Sequence, residues 1–173
     1  FQHLLKTKDE RIGLMMPHWK EFIKDLEKES GKYGLMIEDW KATLSIDHCF
    51  KAVVIAAKSA SRREDCLRFV INVSVLIPFY VIHQAVVTPD SRVVSRNKFD
   101  AVSFRVPGEY NNLYEFITNT LEGDFIDYRA IGQEVVLTEI NEIEYDRLGR
   151  ISGHSEQNQP MNLFNVFFSN HYL

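Results

Sequence analysis

Between Pro17 and Gly31, Trp19, Phe22, Ile23 and Leu26 recur at the i, i+3, i+4, i+7 spacing of one helix face, while Lys20, Glu21, Lys24, Asp25, Glu27 and Lys28 fill the other. This predicts an amphipathic helix over 17–30, with Pro17 in its first turn and Gly31 just past its end. A weaker helical pattern in Leu4, Leu5, Ile12 and Met15 precedes it, so Pro17 marks a break or a kink between two segments. A second helix is predicted over 109–122. There Tyr110, Leu113, Tyr114, Ile117 and Leu121 share a face, and Gly123 supplies the stop.

Elsewhere the period shortens to two. Trp40, Ala42, Leu44 and Ile46 alternate with Lys41, Thr43, Ser45 and Asp47, which predicts a half-buried strand. The apolar run from Phe50 to Ala57 should pair back against it. Phe69 to Pro89 carries no Asp, Glu, Lys or Arg and is long enough to cross a bilayer. Its β-branched residues, its alternation and the interior positions of Asn72, Ser74, Pro78, His83 and Gln84 argue for two strands or one bent strand instead. A further strand runs through Val102, Phe104 and Val106. Residues 135–145 are read as strand leading into a hairpin, and Leu163 to Phe168 as a final strand or docked tail. The eight residues Glu144-Tyr145-Asp146-Arg147-Leu148-Gly149-Arg150-Ile151 resemble a single tyrosine–aspartate repeat unit of bacterial repeat-containing toxins, which implies a local hairpin.

These elements predict a single α+β domain over residues 1–173. Its mainly antiparallel, twisted sheet of about six to eight strands has the helices 17–30 and 109–122 packed on one face. At 45% hydrophobic residues the chain can bury a core, which excludes a disordered tail. A net charge of −4 argues against a nucleic-acid module, because such affinity comes largely from neutralised phosphates. No signal-peptide pattern opens the chain, and two cysteines do not define a disulfide framework, so a reducing, cytoplasmic setting is the simplest expectation.

Chemistry has few places to reside. His48 and Cys49 are adjacent and would point to opposite faces of a strand, while Cys66 is distant, so no metal site is expected. Asp47-His48-Cys49 contains a carboxylate, an imidazole and a thiol, but adjacency in sequence does not make a triad. No phosphate-binding glycine loop or nucleophile elbow occurs, no cofactor is implied, and no catalytic residue can be assigned.

Two functional readings remain. The 134–146 segment is acidic, and Glu139, Glu142, Glu144 and Asp146 would suit contact with a basic protein partner. This favours a non-catalytic binding protein such as an inhibitor, immunity factor or assembly component. The alternative is a small-ligand-binding or enzymatic domain. Its pocket would lie between sheet and helices near His83, Tyr80 and Trp40, where a histidine in an apolar run must find a polar partner.

Overall fold

The computed structural model describes residues 3, 6–40, 44, 47–56, 67–86, 101–140 and 162–168. It opens on one long helix, α1 (Lys8–Tyr33), which runs through Pro17 without a break. Proline deprives the carbonyl four residues earlier of its donor, here that of Gly13. Both residues are exposed, so the loss falls on the solvent side of the helix. The buried positions are Met15, Trp19, Phe22, Ile23 and Leu26, the predicted stripe extended one turn toward the N-terminus. The helix also passes the expected stop at Gly31. Tyr33 stacks on Phe116 at 5.2 Å between ring centroids, which holds the last turn in helical form. Gly34 then ends it at φ 63°, ψ 41°, with its N–H on the Ser30 carbonyl.

A meander of antiparallel strands follows: β1 (Leu35–Asp39), β2 (Cys49–Ala56), β3 (Leu67–Ser74), β4 (Phe79–Val86) and β5 (Ala101–Ser103), hydrogen-bonded in that order. A two-residue strand, β6 (Arg129–Ala130), lies parallel to the start of β4 and makes the sheet mixed. Helix α2 (Asn111–Asp124) is entered through a 3-10 turn at Gly108–Tyr110. Two short helices complete the described chain, α3 (Gln133–Val136) and α4 (Leu163–Phe167).

Several boundaries differ from the sequence expectation. The first strand is Leu35–Asp39, ahead of the strand expected through Trp40, Ala42, Leu44 and Ile46; of those four only Trp40 and Leu44 are described, and neither is in a strand. Leu35 and Ile37 turn toward the core while Met36 stays out, the same two-residue period in a shorter segment. Trp40 lies just past it and still donates its N–H to the Lys51 carbonyl at 2.8 Å. The charge-free run is two strands, with Pro78 in the turn between β3 and β4, where no ladder donor is needed. The strand through Val102 stops at Ser103, because Phe104 and Val106 leave the ladder for separate apolar clusters. The second helix starts at Asn111, not 109, and Gly123 lies inside it. Of the strand expected over 135–145, Val135 and Val136 belong instead to the short helix Gln133–Val136, and the hairpin through Glu144–Ile151 lies outside the described residues.

Register sets what each face of the sheet carries. Phe50, Ala52 and Val54 of β2, Phe69, Ile71 and Val73 of β3, and Tyr80 and Ile82 of β4 belong to one face, packed under α1 and α2. Trp19 is the link, stacked on Phe50 at 5.2 Å and donating its indole N–H to Asp39. No helix among the described residues is long and apolar enough to cross a membrane. Replacing Gly34 with alanine forces a side chain into the left-handed region and should cost about 1 kcal/mol. The check is a lower urea midpoint with unchanged slope.

Candidate functional site

The sheet face turned away from α1 and α2 mixes polar and apolar residues. Lys51 of β2 and Asn72 of β3 are register partners, and His83 of β4 lies two residues from Asn72's own partner, Val81. The alternation of each strand puts all three on this face, in a diagonal row. Asn72 is fully buried and His83 is 3% exposed. Asn72 Nδ2 stands 3.5 Å from His83 Nδ1, and Asn72 Oδ1 accepts from the Cys49 thiol at 3.6 Å. Asp47, in the turn that leads into β2, accepts from Lys51 Nζ at 2.7 Å, with both side chains nearly closed to solvent. Lys8, in the first turn of α1, donates to the carbonyls of Leu44 and Asp47 at 2.9 and 2.8 Å and so ties that turn to the helix.

The C-terminal segment covers this row. Phe164 meets the His83 ring edge-on at 5.9 Å, Phe104 approaches it at 5.8 Å, and Phe164 stacks on Phe168 at 5.5 Å. Stacking four residues apart is helical spacing, so of the two expectations, a final strand or a docked tail, the structure has the docked tail, in helical form. Asn162 and Asn165 cap its start reciprocally, each side chain accepting the other's backbone N–H at 3.0 and 3.1 Å. Two further bonds fasten it to the sheet. Ser74 Oγ donates to the Phe167 carbonyl at 2.7 Å, and His48 donates its N–H to the Phe168 carbonyl at 2.8 Å.

Burial sets the protonation of this layer. It pushes His83 down to about 3, with Lys51 adding to the effect, and His48 down to about 4, with Lys8 adding. The Cys49 thiol is pushed up to about 12, burial outweighing the nearby Lys51. Burial also lowers Lys8. At neutral pH the row therefore consists of neutral imidazoles, a thiol and an amide beside one ion pair. Asp47, His48 and Cys49 do not act as a unit: Asp47 is bonded to Lys51, Cys49 to Asn72, and a thiol held protonated is a poor nucleophile. Among the described residues no three of the His, Cys, Asp and Glu side chains are grouped to hold a metal ion.

The three residues expected to share a pocket do not converge. Tyr80 and His83 are three apart in one strand and so face opposite ways. The Tyr80 hydroxyl donates to Glu122 of α2 at 2.7 Å, and burial followed by that bond raises its pKa. Trp40 packs on Val53, Ile55 and Val70 and donates its indole N–H to Glu38 at 3.2 Å. Of the acidic residues, Glu139 is exposed and bridges to Asn162, while Glu142, Glu144 and Asp146 lie outside the described residues. Sequence reasoning overlooked Lys51 and its bond to Asp47. The signal was present: Lys51 is the one charged residue between Phe50 and Ala57, four positions after an aspartate.

Two predictions follow from this electrostatic state. The unfolded histidines take up protons near their ordinary value of 6.5, whereas folded His48 and His83 resist until about 4 and 3. Their contribution is thus complete above pH 6.5 and declines as pH falls toward 4. Urea midpoints should drop between about pH 7.5 and 5.5, a range in which ordinary carboxylates stay ionised. Glutamine at both positions should flatten that slope. Cys49 should resist iodoacetamide in the folded protein and react only on unfolding, as read by peptide mapping. Comparisons with protein-family models, with curated proteins and with solved structures return no match, so function must be argued from these side chains and the surface around them.

Proposed function

We propose that this chain is a non-catalytic binding protein, an inhibitor, immunity factor or assembly component, that engages a basic protein partner through its 134–146 segment. The observation that carries the reading is the state of Val135 and Leu137. They are 42% and 38% exposed, between exposed Glu134 and Glu139, while Val136 between them is fully buried. The buried valine anchors the segment from within, and Leu163 donates its N–H to the Thr138 carbonyl at 3.2 Å. Two aliphatic side chains are thereby held outward within an acidic rim. A protein interface has the same composition, apolar contact inside a charged border that steers the partner. Glu142, Glu144 and Asp146 extend the acidic run in sequence. The free, buried thiol of Cys49 is in keeping with a reducing, cytoplasmic setting.

The second reading, a ligand-binding or enzymatic domain centred on His83, draws on the buried polar row alone. It requires a ligand to displace Phe164 and Phe104 from the imidazole.

Affinity capture of the native protein identifies the partner, and calorimetry over a range of salt concentrations then tests the surface. Lysine in place of Glu139, Glu142 and Glu144 together should weaken binding about tenfold or more and reduce its salt dependence. Unchanged affinity and an unchanged salt slope would remove the acidic segment from the interface.

A further inference from the structure

Of the described histidines, His3 and His18 are exposed, while His48 and His83 are buried and both lie where α4 docks on the sheet. The His83 ring rests against two phenyl rings from different segments, Phe164 of α4 and Phe104 beyond β5. Asn72 approaches it from β3 at 3.5 Å. Among the described residues the charge acting on it is that of Lys51 on β2, itself held by Asp47 at 2.7 Å, so a second cation there meets repulsion. His48 donates its N–H to the Phe168 carbonyl just past α4, where Lys8 of α1 opposes charge on its imidazole and Asp47 favours it. A proton on His83 therefore costs both burial and repulsion for as long as its cover stays closed.

Which neighbour gives way is decided by how each is fastened. β4 is paired with β3 along Tyr80–Ala85 and flanked on its other side by β5 and β6. The segment of Phe104 is tied down at the next residue, where Gln84 Nε2 donates to the Arg105 carbonyl. α4 has five residues, too few to persist as a helix away from a surface. Its last turn is fastened by Ser74 Oγ and the His48 N–H at the Phe167 and Phe168 carbonyls, and water can replace both donors once the helix lifts. α4 is thus the neighbour of His83 that separates at the smallest cost.

We infer that α4 is an acid-released cover: protonation of His83 lifts it from the sheet while β2, β3 and β4 remain paired. The released helix unwinds, and Phe164 no longer closes over the imidazole. This conformational device does not depend on the protein-binding reading above. It assigns to one short element an acid response that would otherwise appear only as a loss of global stability.

The test is amide hydrogen exchange of the full chain, followed by mass spectrometry at about pH 7.5 and about pH 4.5 in low concentrations of urea and corrected for intrinsic exchange rates. A local opening exposes little surface. Protection of residues 163–168 should therefore be nearly independent of urea, whereas that of β2, β3 and β4 should fall steeply with it. A histidine that titrates at about 3 under its cover and at 6.5 when free favours release by up to about a hundredfold at about pH 4.5. Protection of 163–168 should accordingly fall by about tenfold or more between the two pH values. His83→Gln removes the titrating group and should reduce that fall to about threefold or less. Three results would each overturn the inference: the same urea dependence in 163–168 as in the strands, a smaller acid effect in the wild-type chain, or a larger one in the variant. If the variant does not fold, the wild-type chain decides by itself through the first two.

Discussion

Trp19 is fully buried between α1 and the sheet, where it stacks on Phe50 at 5.2 Å, touches Phe22 at 5.4 Å and gives its indole N–H to Asp39. A side chain of this size buries more area than any other residue type, and its one polar atom must be satisfied when it does so. The three contacts belong to three places in the chain: the helix itself, the start of β2 and the end of β1. Trp19 thus fixes how far along the sheet α1 can lie. Met15, Phe22, Ile23 and Leu26 then cover the apolar face, and α2 fills the remainder with Leu113, Ile117 and Leu121. Loss of the indole would open a cavity costing about 3–5 kcal/mol, a large share of the stability of a domain this size.

With that face settled, strand alternation commits the other face to what is left, and this includes Lys51, Asn72 and His83. Polar groups buried there are tolerated because they have partners, Asp47 for Lys51 within one segment and, across strands through the register, Asn72 for Cys49 and His83. A slip of one residue between β2 and β3 would turn Asn72 and Cys49 to opposite faces and break their bond. The ion pair of Asp47 and Lys51 lies within one segment and is independent of that register: its attraction is offset by desolvation, but removing one partner leaves a buried charge. The polar row therefore specifies alignment more than it adds stability. The C-terminal helix completes the arrangement by excluding water above His83, so the last described residues of the chain seal strands from its middle.

Much of this could be read from the sequence because it is periodic. The α1 stripe, the α2 stripe and the division of Phe69 to Pro89 into strands all follow from the spacing of apolar residues, with Pro78 at the interruption. Misreadings arose where two periods compete. Val135 to Ile140 is β-branched enough to suggest a strand, yet residues 133–136 form a helical turn because burying Val136 alone satisfies the core. The tail was left open between strand and docked tail for a related reason: in Phe164, Val166 and Phe168 both spacings are present, and the Asn162–Asn165 cap decides for a docked helix. Parity separates two residues that the sequence suggested together: Tyr80 and His83 lie three apart in a strand and so face opposite ways.

The sequence by itself determined the α+β class, the two amphipathic helices and the β-rich nature of the charge-free run, because local burial preference is written into residue spacing. It also marked His83 as a polar residue in need of a partner. Only the tertiary structure decided that Asn72 lies beside it, that Lys51 is held by Asp47, and that Phe164 closes over His83. Such pairings depend on strand register and on how α1 crosses the sheet. No short window of sequence contains either.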